Sequence, residues 1–408
     1  MNIYTTFGAE TSQVSTRLQE AKLGQMNFAF IDMGQGDCTI ISCPDNSVYI
    51  IDCGSSGGLE DDSFQEAKDL VRSWSKGKAV NVVMTHPDKD HYNKFIDLLL
   101  TKPKVSVNVF YFSKALKDNS PLGNYKETAM MRNIYLFGKP ILTEVTLNAA
   151  SNHIKKWLPL FDYEDPIETD IPESGYVINS GTTDKGKKWS LTIIAGNVAT
   201  ASRVASVKSN VVSLCTLVKF DTNKLLLTGD ATDETLEFLY DYQKDQIGNV
   251  SIFQVPHHGS ESSLPTSAFK NWVNPESLLV SVGLLVDSYN LPRFDVMEKW
   301  LTASRLRAQP RTYDYWRYGI PGYNNYADLQ RILDDKWDGY DWDQNHSRTF
   351  FWLKDPKDAG PKKSGTGFYG FSNKGWFLFR SETPKDLYQT GILGSQFDEG
   401  FLASNPGI

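Results

Sequence analysis

The sequence lacks the features that would place it at a membrane or in an oxidising compartment. None of its apolar runs approaches the roughly 20 residues that span a bilayer; Leu98-Leu99-Leu100 and Leu225-Leu226-Leu227 are short and flanked by charged or polar residues. The stretch MNIYTTFGAETSQVSTRLQEAK has neither the basic start nor the apolar segment of a signal peptide, so a soluble, cytoplasmic protein with no membrane partner is expected. Cysteine is scarce: Cys38, Cys43, Cys53 and Cys215 lie in or beside strand-like segments and form no CxxC pair. That fits buried, reduced thiols better than a disulfide framework or a zinc knuckle. There is no basic excess either, since 42 Lys and Arg face 49 Asp and Glu for a net charge of −7. No global field therefore draws the chain to nucleic acid, and such binding would need a local patch. Repeats and low-complexity tracts are absent.

What is present is enough apolar and aromatic residue to fill a core over 408 residues, one large domain or two ordinary ones. From Asn27 the segment NFAFIDMGQGDCTIISCPDNSVYIIDCG reads as strand, glycine-rich loop, strand, hairpin, strand. Residues 62–75 follow with helical spacing, Phe64, Ala67, Leu70, Val71 and Trp74 sharing one face, and lead to the strand-like AVNVVM. A helix carrying Phe95, Ile96, Leu99 and Leu100 and the strand-like VSVNVFYF come next. About 114–187 reads as a less regular insertion, a lid or wall. Strand signals resume at WSLTIIAGN, VVSLCTLVKF, NKLLLTGD, SIFQVPHHGS and SLLVSVG, with a helix at ATDETLEFLYDYQ. The division expected is 1–290 for this mixed α/β unit and 291–408 for an aromatic-rich C-terminal extension, in which FYGFSNKGWFLF suggests a hairpin.

Histidine is also rare, six in all, yet four are spent in two short stretches, THPDKDH and VPHHGS. The first follows an apolar strand. Side chains two apart in extended chain point the same way, so His86, Asp88 and Asp90 can converge while His91 turns aside, as two adjacent metal positions require. Asp and His are common in turns, and an isolated H-x-D is more often a solvated loop. Two further strand ends of the same kind change the balance: LLLTGD delivers Asp230, and VPHHGS delivers His257 and His258. Rigid strand ends are suitable supports for metal donors. His153 and His346 stand alone and read as surface or packing residues.

In order, DMGQGD, IDCG, THPDKDH, an N-x-x-S before a strand, LLLTGD and VPHHGS resemble the metallo-β-lactamase superfamily. More narrowly they resemble the hydrolase domain of competence (ComEC-type) DNA-uptake proteins, over about Asn27 to Gly283. The resemblance implies a four-layer αββα sandwich with a metal centre at one edge of its sheets. It implies that His86 and Asp88 hold one metal, that Asp90 and His91 hold a second, and that Asp230 bridges them. A histidine of HHGS completes the second position, His257 ahead of His258. Asp52 resembles the family's supporting aspartate, and Asp32, Gln35 and Asp37 of the GQGD loop would line the rim.

The superfamily's H-x-H-x-D-H is here H-x-D-x-D-H, and Asn210, three residues before Ser213, stands where another histidine ligand is usual. The competence-type branch shares both changes, which make the site harder and favour manganese, with zinc second. One departure belongs to this chain: Tyr289-Asn290-Leu291-Pro292 replaces a Tyr-Gly-His-Pro stretch, which puts the shared substrate in doubt.

The expected reaction is phosphodiester hydrolysis on DNA or RNA at two divalent ions. Asp88 or Asp90 would accept the proton of the nucleophile and Asp230 would position it. The unligated member of the His257-His258 pair, His258 on this reading, would protonate the leaving oxygen, and Ser213 and Ser260 would donate to substrate. Arg305, Arg307, Arg311 and Arg317 beside Tyr313, Tyr315 and Trp316 could grip a single strand, though an amphipathic helix end followed by a packed aromatic loop is the more ordinary reading of them. Two rivals stand beside this reading: a phosphodiesterase of a small molecule such as a cyclic nucleotide, and a non-catalytic metal-binding interaction module.

Overall fold

The structure, a computed structural model, describes residues 26–113, 125–146, 167–198, 209–281, 367–372 and 375–380, apart from a few single positions including 32, together with Val296, Lys299 and Trp300. Asp32, Arg305, Arg307, Arg311, Arg317, His153, Leu291 and His346 lie outside the described residues.

Period-two alternation of apolar side chains builds two sheets whose faces both bury. The first sheet contains β1 (Met26–Phe30), β2 (Thr39–Ser42), β3 (Val48–Ile51), β4 (Val80–Met84), β5 (Val107–Phe112), β6 (Ile141–Thr146) and β7 (Ile167–Asp170) in sequential order. The second contains β8 (Tyr176–Thr182), β9 (Lys188–Ala195), β10 (Cys215–Phe220), β11 (Asn223–Leu227), β12 (Ile252–Gln254) and β13 (Ser277–Leu279), also in sequence. In β3, Val48 and Ile50 face one side while Tyr49 and Ile51 face the other. The strand is buried on both faces, as a near-continuous apolar run should be.

The faces that meet form a central core, to which Phe28, Ile41, Ile51 and Val83 contribute from the first sheet and Leu191, Val218, Leu225 and Ile252 from the second. The outer face of the first sheet is covered by α1 (Asp61–Ser75), α3 (Phe95–Leu99) and α4 (Tyr125–Gly138), with the four-residue α2 (Lys89–Tyr92) between α1 and α3 in the chain. The apolar face expected of α1, from Phe64 to Trp74, is buried there. The outer face of the second sheet takes α5 (Asp233–Tyr242) and α6 (Ser267–Val273), with Trp300 buried against Phe253 at a ring-centroid distance of 4.4 Å. Helix, sheet, sheet, helix is the αββα sandwich.

Two further regions add to the sheets. Segments of 114–187 hold regular elements: α4 lies on the first sheet, β6 and β7 extend that sheet, and β8 edges the second. The strands at the sheet edges, β7 (IETD) and β8 (YVINSGT), carry many polar residues, as edge strands do. The C-terminal hairpin expected at 368–379 is present as β14 (Gly367–Ser372) and β15 (Gly375–Arg380), with β14 pairing antiparallel to β1 from Met26 opposite Phe371 to Phe30 opposite Gly367. All four cysteines are buried and none forms a disulfide. Among the described residues no helix is long and apolar enough to cross a membrane.

Parallel pairing of β3 with β4 and of β11 with β12 brings the carboxyl ends of those four strands to the same edge of their sheets. Antiparallel β2 and β10 bring their amino ends to that edge too. Backbone packing here leaves no space for side chains. A Cβ on Gly36 would lie 2.1 Å from the Gly54 carbonyl oxygen, and one on Gly54 would lie 2.3 Å from the Asp90 carbonyl carbon. Gly54→Ala is therefore expected to destabilise the metal-free protein by at least ~1–3 kcal/mol, the usual cost of overpacking, and to weaken metal binding by displacing α2; urea denaturation and metal titration check both.

Candidate metal centre

Each of the strand ends delivers one donor group to one place. His86 follows β4 by two residues, Asp88 caps α2, and Asp90 and His91 lie within it. Asp230 follows the Thr228-Gly229 turn after β11, and His257 and His258 follow β12 in a 3-10 turn. Asp52, His257 and His258 all have left-handed backbone, with φ of 55°, 50° and 53°. Such strain in bulky residues is characteristic of functional sites and is held by the surrounding structure.

Asp230 is the centre of the cluster. Its Oδ2 lies 3.5 Å from His86 Nε2 and 3.6 Å from His257 Nε2, while its Oδ1 lies 3.1 Å from His91 Nε2 and 3.5 Å from His258 Nε2. One carboxylate thus separates two pairs of imidazoles. Asp88 Oδ2 stands 3.7 Å from His86 Nε2 on the first side, and Asp90 Oδ2 stands 3.8 Å from His258 Nε2 on the second. Asp37, a rim residue on the sequence reading, lies inside: Asp37, His91, Asp230 and His258 are all buried and each offers a donor atom within 4.8 Å of the others.

The far side of each ring is anchored. Thr85 donates its N–H to Asp52 Oδ1 at 2.7 Å and its hydroxyl to Asp52 Oδ2 at 2.6 Å. With that hydroxyl hydrogen used, Thr85 Oγ1 accepts from His86 Nδ1 at 3.1 Å, and Ser213 Oγ lies 3.3 Å from the same nitrogen. His91 Nδ1 donates to Asp52 Oδ2 at 2.8 Å. His258 Nδ1 donates to the Ser281 carbonyl at 2.6 Å, and the Ser281 hydroxyl donates to the Gly36 carbonyl at 2.5 Å. Neither Thr85 nor Ser281 is readable as a site residue from the sequence, because each acts through a contact between distant loops. His257 differs: it is 22% exposed at its side chain, its Nδ1 lies 2.6 Å from Ser262 Oγ, and its Nε2 lies 3.0 Å from the Asn210 amide nitrogen. Ser260 lies beside it, 3.2 Å from Ser262. Gln35 serves the loop through its backbone, which pairs with Gly57 and Ser56.

With Nδ1 anchored, the ring lone pairs at Nε2 point inward. Nε2 of His86, His91 and His258 and Oδ1 of Asp230 are buried without a hydrogen-bond partner. Leaving such atoms unsatisfied costs about 1–3 kcal/mol each, and a cation among them removes that cost. An imidazole Nδ1–H bonded to carboxylate or carbonyl, with Nε2 bare, is also how histidines are prepared as metal ligands. The donor set fits divalent cations.

Electrostatics agree with that fit. Burial opposes a charge on His91, but Asp230 and then Asp52 outweigh it and hold its pKa well above the ordinary imidazole value. His258 is raised in the same way, Asp230 and Asp37 overcoming burial. Burial opposes ionisation of Asp230 too, yet His91 and the other three imidazoles hold its carboxyl well below the usual range. Asp37 is raised, because burial exceeds the help from His258 and His91. His257 is lowered by burial, which Asp230 only partly offsets.

No protein-family model matches the chain, and none of the curated proteins does. Solved structures do. The chain is similar to the short form of human tRNase Z at 10% identity, over 63% of this chain and 93% of that one, with a TM-score of 0.35. It is similar to the metallo-β-lactamase fold protein YhfI from Bacillus subtilis at 9% identity, over 68% and 93%, with a TM-score of 0.33. It is also similar to CmlA, a diiron β-hydroxylase from Streptomyces venezuelae, at 12% identity, over 76% of this chain but 51% of that one, with a TM-score of 0.33.

Proposed function

We propose that the protein is a two-metal phosphodiester hydrolase, related to the competence-type branch and acting first of all on nucleic acid. The observation that carries this is the division of Asp230: each of its carboxylate oxygens faces its own pair of imidazoles, with an aspartate on each side. On this reading His86, Asp88 and Asp230 hold one ion, and Asp90, His91, Asp230 and His258 hold the other. The sequence favoured His257 for the second position; the anchored, buried and unpartnered Nε2 of His258 supports giving it that role. Oxygen donors in place of two imidazoles favour manganese over zinc. The catalytic unit would span 1–290, with 291–408 as an extension.

Divalent ions held at these positions would supply Lewis acidity and a nucleophile near neutral pH. The chain's own contribution is to hold and orient. Asp52 fixes His91 directly and His86 through Thr85, and Ser281 fixes His258. His257 is the histidine of the four that reaches solvent, and its Nε2 would exchange the proton of the reacting oxygen. Asn210 and Ser262 hold that ring, and Ser260 beside it would donate to a phosphate oxygen.

The test is hydrolysis by purified protein with Mn²⁺, Mg²⁺ or Zn²⁺ of plasmid, single-stranded DNA, RNA and cyclic dinucleotides, beside the Asp90→Ala, His91→Ala double variant. Polymer cleavage with Mn²⁺ that the double variant lacks is expected. Cleavage confined to small diesters would move the substrate to the second class, and inertness towards every diester with both ions bound would contradict the proposal. Metal loading should also show as stability: Mn²⁺ at 100 times its Kd adds about 2.7 kcal/mol to the folded state. A thermal scan should show a rise in Tm that a chelator reverses.

A further inference from the structure

We infer that Asp37 is itself a ligand of the second metal position, supplied by the glycine-rich loop between β1 and β2; the inference rests on the two-metal reading above. The loop is fixed against the site by backbone on every side. Asp37 N–H donates to the Asp90 carbonyl at 3.0 Å, and Gly54 N–H donates to the Asp37 carbonyl at 3.1 Å. Cys53 N–H donates to the His91 carbonyl at 2.8 Å, and the Ser281 hydroxyl joins Gly36 to the residue that anchors His258. Gly36 and Gly54 permit this approach, since a Cβ on either would collide with backbone. The loop, α2 and the His258 turn are therefore one rigid support, and the Asp37 side chain enters the cluster from it.

The carboxylate faces the imidazoles of the cluster rather than any hydrogen-bond donor of the fold. Asp37 is 5% exposed, and among the described residues its carboxylate makes no hydrogen bond. Its Oδ2 lies 3.8 Å from His91 Nδ1, too far for a hydrogen bond, and that nitrogen already donates to Asp52. A buried carboxylate whose contact with the nearest imidazole is as long as 3.8 Å is costly unless a closer cation compensates it. The cation position is adjacent, because Asp37 shares the 4.8 Å cluster with His91, Asp230 and His258. With Asp37 added, the second position draws on three aspartates, Asp37, Asp90 and Asp230, against His91 and His258. That donor set is harder than the superfamily's and selects for Mn²⁺ over Zn²⁺ at this position.

The experiment uses the full chain stripped of metal, titrated with Mn²⁺ by calorimetry and assayed for bound metal after gel filtration, with circular dichroism as a check on folding. Wild-type protein should bind two Mn²⁺. Asp37→Asn, which conserves volume, and Asp37→Ala should keep one and bind the second at least ~10-fold more weakly. Asp37→Cys loaded with Co²⁺ should show a thiolate-to-cobalt charge-transfer band that wild type lacks. Two Mn²⁺ bound at unchanged affinity by Asp37→Asn would overturn the inference and leave the two-metal reading intact. A weakened second ion without the cobalt band in Asp37→Cys would also overturn it, making Asp37 a positioning residue. Wild type that binds no Mn²⁺ would overturn the two-metal reading itself, and the inference with it.

Discussion

Replacing Asp230 with asparagine is expected to abolish tight binding of both ions and reduce hydrolysis to background. The loss should exceed the ~10–100-fold that a supporting residue costs, because both halves of the site share this carboxylate. His86 and His257 face one oxygen, and His91 and His258 face the other. Asparagine conserves volume, so the αββα core is undisturbed, but the substitution removes the charge that all four imidazoles surround. Calorimetry with Mn²⁺ and an assay on the best substrate measure the two losses, and a thermal melt of the metal-free variant separates them from unfolding. A variant that kept one ion at full affinity would show that Asp230 does not bridge.

The second large effect is expected at Asp52, although this residue touches neither ion on the proposed assignment. Its carboxylate accepts from Thr85 N–H, Thr85 Oγ1 and His91 Nδ1, and is almost wholly buried. Asp52→Asn keeps an acceptor for the backbone N–H but presents an amide NH₂ to the other two donors. His91 must then carry its proton on Nε2, which removes the lone pair aimed at the cluster, and Thr85 must release its hold on His86. Mn²⁺ affinity should fall by roughly 10–100-fold. Nitrogen NMR of the imidazoles should find the His91 proton moved from Nδ1 to Nε2. Wild-type affinity with an unmoved proton would contradict this role.

Much of this site was legible in the sequence, for a physical reason. Metal donors need rigid supports, and an apolar strand running straight into His or Asp is visible as text in VNVVMTH, LLLTGD and IFQVPHH. The same alternation that made those strands readable also places each strand between two cores. The roles of Thr85, Ser281 and Asp37 depend instead on contacts across long sequence separations, such as the 245 residues between Ser281 and Gly36. No local pattern encodes such a contact. Which oxygen of Asp230 each of His257 and His258 faces was hidden for a related reason: two successive left-handed residues turn their rings to opposite oxygens, and alternation cannot say which goes where. Strands β7 and β8 escaped notice because they are edge strands, which need not alternate cleanly.

The central claim is that this sheet edge holds two divalent ions divided by Asp230. Anomalous diffraction from crystals soaked in Mn²⁺ tests it most directly. Two peaks are expected, one beside His86 and Asp88 and the other beside Asp90, His91 and His258, with Asp230 between them. A single peak, or none within reach of Asp230, would contradict the claim.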